Sequence, residues 1–119
     1  MIRAVIFDCF GVLYGGSIEV LMAQCPPDRR AELEDINKQS DYGYISRRQF
    51  ITEVARLVGQ TPAQINALLE QVHVRNSELI AMIHTLRQRY PAIKVGLLSN
   101  VGSDTIERLF TPDELRELF

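Results

Sequence analysis

The stretch IFDCFGVLY, Ile6–Tyr14, is a hydrophobic run that ends in a carboxylate and then bends at a glycine. The segment RAVIFD, Arg3–Asp8, overlaps it and is rich in β-branched and aromatic side chains. Such a run predicts a strand that is buried on both faces of a parallel sheet. Open α/β sheets bind their ligands beyond the carboxyl ends of their strands. Asp8 is therefore a candidate functional residue, and Gly11 provides the turn that follows it.

A second run of the same kind, KVGLLSN at Lys94–Asn100, predicts a second strand. The residues between the two runs carry helical periodicity almost throughout, and they far outnumber the dozen or so that a parallel crossover requires. We therefore predict an α/β fold, a partial Rossmann-like parallel sheet core with an inserted helical cap. The predicted domains are core at 1–14, helical cap at 15–73, and core again at 74–119, which holds a helix, the second strand and the following helices.

Local signals predict where the helices begin and end. Two helices are expected at Ile18–Ala23 and Pro27–Gln39, on either side of a proline break. Side chains that can cap a helix open the later ones, in chain order Ser46, Thr61, Asn76, Ser103 and Thr111. Gly59 and the pair Tyr90-Pro91 are stop signals. The predicted order is strand, several helices, a longer helix, strand and short helices.

The composition of the 119 residues is that of one globular domain, with 46% hydrophobic and 24% charged residues. A formal charge of -2 offers no basic excess, which argues against nucleic-acid and membrane-surface partners. No apolar run reaches the roughly 18 residues of a membrane span, and no cleavable signal segment precedes the first strand, so we predict a cytoplasmic protein. Cys9 and Cys25 are too few for a disulfide framework and are expected to be buried.

Polar residues follow both predicted strands. Parallel pairing would bring Asp8 to the same sheet edge as Ser99 and Asn100, where the N–H groups of a following helix form an anion site. A carboxylate repels a phosphate unless a metal ion bridges the two or the carboxylate attacks covalently. We predict that Ser99 Oγ and the Asn100 N–H hold a substrate oxygen and that Asp8 binds Mg²⁺. Taken alone, the Asp8 motif is better explained as a turn, and Ser99-Asn100 is better explained as a loop or helix cap. Only the two motifs together favour a catalytic role.

The two motifs, in this order and at this spacing, resemble those of the haloacid dehalogenase (HAD) superfamily. The matching positions are Asp8, Gly11, Val12, Leu13, Ser99 and Asn100. The resemblance extends to the helical cap, where DYGYISRRQF and the helix after it are similar to family caps. It implies that Asp8 is the nucleophile of an aspartyl-enzyme intermediate. Ser99, Asn100 and Gly11 are then the residues that bind a small-molecule substrate.

Phe10 departs from the phosphatase pattern of this family. Family phosphatases carry a second Asp there, which protonates the leaving oxygen, whereas Phe10 offers only its backbone carbonyl as a Mg²⁺ ligand. The resemblance ranks a Mg²⁺-dependent phosphatase of a small phosphorylated metabolite first. Family dehalogenases have an aromatic residue here and need no metal, so 2-haloacid hydrolysis is an alternative, with Arg29 or Arg30 receiving the halide. A non-catalytic binding module is a further alternative.

The third and fourth motifs of the family, a Lys and an acidic pair on later elements, have no counterpart here. Lys38 lies in the predicted cap, and Lys94 lies at the wrong end of its strand, roughly 16 Å from Ser99. No third strand pattern follows Asn100. We therefore expect the chain to be the N-terminal portion of a larger hydrolase, truncated before the later core strands and lacking part of the catalytic machinery. Its open sheet edges would favour self-association.

Overall fold

A computed structural model describes residues 1–101 and 104–119 of the chain. Within these residues the chain is mostly helical, with a two-stranded parallel sheet. None of the helices described is long and apolar enough to cross a membrane. In chain order the elements are β1 (Ala4–Phe7), α1 (Ile18–Gln24), a 3₁₀ turn (Pro27–Arg29), α2 (Arg30–Asp41), α3 (Arg47–Val58), α4 (Pro62–Val72), α5 (Ser77–Arg89), β2 (Lys94–Leu97), α6 (Thr105–Leu109) and α7 (Pro112–Leu118).

The contacts within the chain divide it into two compact units. The helical unit comprises residues 16–73 and, further along the chain, residues 100 and 101. The core unit comprises residues 1–15, 74–99 and 104–119. Helices α1–α4 therefore belong to the helical unit, and both strands and α5–α7 belong to the core unit. Each unit has its own hydrophobic cluster.

Three helices begin with a reciprocal capping box, in which the N-cap hydroxyl accepts an N–H from the third helical residue and that residue's side chain accepts the N-cap N–H. The N-cap residues are Ser46, Thr61 and Thr111, as predicted. Asn76 caps α5 as expected, because its Oδ1 accepts the Leu79 N–H at 3.1 Å. Gly59 ends α3 with a φ of 69°. The predicted cap Ser103 lies outside the described residues.

The second predicted helix differs from its expectation at both ends. The segment Pro27–Gln39 was expected to be one helix, but it opens with a 3₁₀ turn, and α2 starts at Arg30 and continues to Asp41. The Arg29 N–H donates to the Pro26 carbonyl at 2.9 Å, which closes the tighter turn.

The helical unit closes a core of its own. The apolar faces of α2, α3 and α4 meet at side chains that are fully shielded from solvent, including Leu33, Val54 and Ile65. Cys25 lies in the same cluster as a buried free thiol, as predicted. At the surface of this unit a guanidinium nitrogen of Arg56 lies 2.7 Å from a carboxylate oxygen of Glu32. The buried apolar side chains of the four helices therefore form one cluster.

β1 and β2 pair in parallel, as predicted. The register sets Phe7 opposite Leu97, and the Leu98 N–H continues the pairing by donating to the Phe7 carbonyl at 2.9 Å. At the other end the Lys94 N–H donates to the Arg3 carbonyl at 3.0 Å. The carboxyl ends of both strands therefore lie at the same edge of the sheet.

The prediction that these strands are buried on both faces is wrong for the part of the chain described. Phe7, Val95 and Leu97 pack against the hydrophobic cluster that includes side chains of α5 and α7. On the opposite face Ile6 is 66% exposed and Leu98 is 71% exposed. Side chains alternate between the two faces of a strand, and the helices described cover only one of them.

Candidate functional site

The candidate site is built on the loop that follows β1. Asp8 comes directly after the strand and is exposed, and its Oδ1 accepts the Cys9 N–H at 2.7 Å. The Cys9 carbonyl accepts three backbone N–H groups, those of Val12 at 3.3 Å, Leu13 at 2.8 Å and Tyr14 at 3.0 Å. These hydrogen bonds fold the loop back onto the end of β1. The Asp8 carboxylate therefore lies at the start of a hydrogen-bonded turn.

Gly11 makes the turn of this loop. Its φ is 78°, in the left-handed region that side chains disfavour. Its N–H donates to the Tyr14 carbonyl at 2.7 Å. Among the described residues no atom lies within 4 Å of the position that a Cβ would take. The backbone conformation, rather than lack of space, therefore selects glycine here.

Ser99 lies two residues beyond the end of β2, whereas Asp8 directly follows β1. Because the Leu98 N–H donates to the Phe7 carbonyl, the parallel sheet carries Asp8 and Ser99 at the same edge. Ser99 is half-buried, whereas Asn100 is exposed and groups with the helical unit. The structure therefore places Asp8 and Ser99 at the same edge of the sheet. The chemical roles of Asp8, Ser99 and Asn100 stay predictions.

Phe10 is part of the packing of the core unit. Its side chain is half-buried and contacts the hydrophobic cluster of that unit, and its backbone forms an isolated bridge with Tyr14. A phenyl ring carries no titratable proton. The loop after Asp8 therefore has a packing residue at the position where the resemblance to family phosphatases would place an acid.

Oxygen donors for a divalent cation are few at this loop. Among the residues described, no three His, Cys, Asp or Glu side chains come together as a metal-binding group. Mg²⁺ usually keeps several waters and binds proteins through one or two carboxylates. Asp8 and the Phe10 carbonyl both offer the oxygen donors that Mg²⁺ prefers, and their role as its ligands stays a prediction.

Cys9 is the neighbour of Asp8 but is fully buried. Burial, and secondly the negative charge of Asp8, raise the pKa of its thiol to about 11. A thiolate is the reactive form of cysteine, and this thiol stays protonated at neutral pH. The packing role expected for Cys9 from strand alternation is consistent with its burial.

Residues distant in sequence anchor the end of the loop. The Tyr14 hydroxyl donates to the Leu109 carbonyl at 2.7 Å, and Arg75 lies 3.4 Å from the same hydroxyl. Arg75 also pairs with Glu114 at 2.5 Å. The Thr111 N–H, and then Arg75, lower the pKa of the Glu114 carboxyl. Sequence reasoning missed this network because its members are far apart in the chain and no local pattern joins them.

The other cations considered from the sequence have separate partners or positions. Lys94 opens β2 at the edge opposite to the candidate loop, as predicted. Arg29 lies 3.4 Å from Glu32, and Arg30 Nε donates to the Met22 carbonyl at 3.2 Å. Both guanidinium groups are therefore engaged inside the helical unit, and their role with a halide stays a prediction.

Comparison with solved structures identifies the fold. A HAD family enzyme from Bacteroides thetaiotaomicron, in its magnesium complex, is 19% identical with a TM-score of 0.66, over 99% of this chain and 65% of that chain. The complex of that enzyme with magnesium and inorganic phosphate gives 20% identity and a TM-score of 0.60, over 92% of this chain and 58% of that chain. A predicted HAD-like family hydrolase from Porphyromonas gingivalis is 24% identical with a TM-score of 0.61, over 100% of this chain and 61% of that chain.

These matches establish a shared fold. No protein family model and no curated protein matches the sequence. The chain has the fold of HAD family hydrolases over most of its length. It spans 58% to 65% of the length of the solved structures that it matches.

Proposed function

We propose that the chain supplies the nucleophile loop and the cap of a HAD-type phosphohydrolase that acts on a small phosphorylated metabolite. The main support is one observation: in a fold shared with HAD family hydrolases, an exposed Asp8 directly follows β1 on a hydrogen-bonded turn. The B. thetaiotaomicron enzyme was solved with magnesium and inorganic phosphate, which favours phosphate chemistry for the fold. A Rossmann-like core, with β1 and β2 as two of its strands, is part of the same proposal.

Asp8 carries the proposed reaction. Its carboxylate oxygen attacks the phosphorus of a phosphoester, the bond from phosphorus to the leaving oxygen breaks, and an aspartyl phosphate forms. Water then attacks the phosphorus and releases inorganic phosphate and the free carboxylate. Ser99 Oγ and the Asn100 N–H donate to the phosphoryl oxygens, and Gly11 lets the backbone approach them. Mg²⁺ held by Asp8 and the Phe10 carbonyl would reduce the repulsion between the two anions.

Phe10 narrows the proposed substrates. The leaving oxygen gains negative charge as its bond breaks, and the side chain at this position cannot protonate it. General acid catalysis commonly contributes about 10²–10⁴-fold in rate. The substrates that fit are therefore those whose leaving group is stable without a proton, such as acyl or aryl phosphates.

The same residue favours a second candidate function. A halide leaves carbon without a proton, so hydrolysis of a 2-haloacid by Asp8 does not need an acid at Phe10 and needs no Mg²⁺. A third candidate is a non-catalytic binding module. It is favoured because Lys94, at the far edge of the sheet, does not neutralise the anion at the loop.

The test is hydrolysis of an aryl phosphate and of 2-chloropropionate, each with and without Mg²⁺. We expect Mg²⁺-dependent release of phosphate that Asp8→Asn abolishes, while the matched control Asp28→Asn, an exposed acid of the helical unit, keeps it. Phe10→Asp should raise the rate by about 10²–10⁴-fold if the general acid is the main deficit. Incubation with acetyl phosphate should add one phosphoryl group to the intact mass, again only when Asp8 is present.

The other outcomes separate the candidates. Metal-independent release of chloride would replace the phosphatase with a dehalogenase. A folded chain without turnover of either substrate and without the phosphoryl adduct would refute both hydrolases and leave the binding module. Unchanged turnover in Asp8→Asn would remove Asp8 from the mechanism.

A further inference from the structure

Asn76 links the start of α5 to the loop that follows Asp8. Its side-chain Nδ2 donates to the Val12 carbonyl at 3.1 Å, and its backbone N–H donates to the Leu13 carbonyl at 2.8 Å. The same side chain caps α5, because Oδ1 accepts the Leu79 N–H at 3.1 Å. Asn76 therefore bonds to two consecutive carbonyls of the loop and to the first turn of a helix at once.

The helix end of this link is fixed in the core unit. Ile80 and Ile83 of α5 are buried in the hydrophobic cluster of that unit, and Leu79 packs against it. The Ile80 N–H donates to the Asn76 carbonyl at 3.1 Å, which joins Asn76 to the backbone hydrogen bonds of α5. A closely packed interior allows little movement. Asn76 is therefore attached to a buried helix and can hold the loop in place.

The loop end of the link reaches Asp8 through Cys9. Val12 and Leu13, whose carbonyls Asn76 binds, donate their own N–H groups to the Cys9 carbonyl at 3.3 Å and 2.8 Å. The Cys9 N–H in turn donates to Asp8 Oδ1 at 2.7 Å. The Cys9 side chain is fully buried, so this residue cannot shift without repacking its surroundings. A short series of hydrogen bonds therefore runs from Asn76 to the carboxylate.

The two neighbours of the Asn76 side chain fix the orientation of its amide. A backbone N–H only donates and a carbonyl only accepts, so Oδ1 faces Leu79 and Nδ2 faces Val12. Asp caps a helix as well as Asn does, but a carboxylate at neutral pH only accepts hydrogen bonds. Capping alone therefore does not need the amide, whereas the bond to the loop does.

We propose that Asn76 is a positioning residue, which holds the loop in the geometry from which Asp8 attacks. Its effect on the reaction rests on the proposed function, and its effect on the loop does not. Asn76 acts through Val12, Leu13 and Cys9 and not on the substrate. Reacting atoms have to be aligned, and a displacement of about 1 Å can cost about 10²-fold in rate. A loop that is free to shift would therefore leave Asp8 in place for less of the time.

The test compares Asn76→Asp with the wild-type chain, because this change keeps the acceptor for the helix cap and removes the donor to the loop. We expect the Leu13 and Tyr14 amides, which bond to the Cys9 carbonyl, to exchange their hydrogens about tenfold faster. For an aryl phosphate with Mg²⁺, kcat should fall by about tenfold to 10²-fold. KM should change little, since the substrate contacts stay. The melting temperature should stay near that of the wild-type chain, because the cap remains.

Two further variants separate the bond to the loop from other effects of the change. Asn76→Ala removes both the donor and the cap without adding a charge. It should match Asn76→Asp in exchange and in kcat, and it should also lower the melting temperature. Asn66→Asp makes the same change on α4, where the amide donates to Glu70 at 3.0 Å. It should alter neither the exchange of the loop nor kcat.

Each contrary result has its own meaning. Unchanged exchange at Leu13 and Tyr14 in Asn76→Asp would overturn the hold of Asn76 on the loop. Faster exchange with unchanged kcat would overturn its positioning role in the reaction. A folded wild-type chain without turnover would refute the proposed function, and the exchange rates would then decide by themselves whether Asn76 holds the loop. An equal fall of kcat in Asn66→Asp would show that the effect does not belong to this bond.

Discussion

The helical unit and the core unit bury their apolar side chains to different extents. In the helical unit the amphipathic faces of four helices turn toward one another, and Leu33 is fully shielded from solvent. In the core unit the sheet is covered on one face by α5–α7, while Ile6 and Leu98 on the other face remain largely exposed. A helix presents one apolar stripe, which a small bundle can close, whereas a parallel strand presents two apolar faces and needs a layer on each.

The two units also differ in how their surface charges are used. In the helical unit Glu32 bonds to Arg56, both at exposed positions, where such pairs contribute little to stability. In the core unit the Arg75–Glu114 pair is less exposed and joins α7 to the segment before α5. Solvent therefore screens the ion pair of the core unit less than the pair of the helical unit.

Removing buried volume should have the largest effect and should separate the two units most clearly. Leu33→Ala in the helical unit should reduce the free energy of unfolding by about 2–5 kcal/mol, because the side chain is fully buried and leaves a cavity. Leu98→Ala, on the exposed face of the sheet, should change it by less than about 0.5 kcal/mol. Urea unfolding followed by circular dichroism, at concentrations where the chain is monomeric, measures both. Equal losses would mean that the two leucines are equally buried in solution.

Loss of a helix cap should have an intermediate effect and should show how far the helical unit depends on local signals. Ser46→Ala removes the hydroxyl that accepts the Gln49 N–H and should cost about 1 kcal/mol of unfolding free energy. Ser46→Asp should recover most of it, since a carboxylate can also accept that N–H. The matched control is Ser17→Ala, because the Ser17 side chain makes no capping bond at the start of α1. If Ser17→Ala costs as much, the hydrogen bond is not the cause.

Acidification should have the smallest effect on stability. It should reveal the contribution of the Arg75–Glu114 ion pair of the core unit. The Thr111 N–H and Arg75 hold the pKa of Glu114 below its ordinary value of 4.5. The stability that this shift supplies is present above the unfolded-state pKa and is lost as the pH falls through the lower folded-state pKa. Glu114→Gln should therefore flatten the fall in melting temperature between about pH 5 and pH 3.

Glu117→Gln removes the same charge from the same helix and is the matched control for Glu114→Gln. Glu32 in the helical unit also has a lowered pKa, mainly through its bond to Arg56. A residual slope is therefore expected in Glu114→Gln. An identical slope in Glu114→Gln and in the wild-type chain would contradict a role for this carboxyl in acid stability.

Local signals predicted the helices well because a helix cap is a contact between residues three positions apart. Hydrogen bonds within the first turn are made by the hydroxyls of Ser46, Thr61 and Thr111. Both partners of each bond can therefore be read from the sequence. The 3₁₀ turn before α2 was missed because an α-helical and a 3₁₀ first turn differ little in energy. The spacing of apolar residues does not distinguish between them.

The sequence by itself determined the two strands, the capped helix starts at Ser46, Thr61, Asn76 and Thr111, and the placement of Asp8 beside a glycine turn, because each depends on neighbours within a few residues. Only the tertiary structure decided which face of the sheet is covered and which residues anchor the loop. Tyr14, Arg75 and Glu114 come together through packing of distant segments. An apolar strand sequence specifies that its side chains avoid water, but which of them do so depends on the elements that lie against each face.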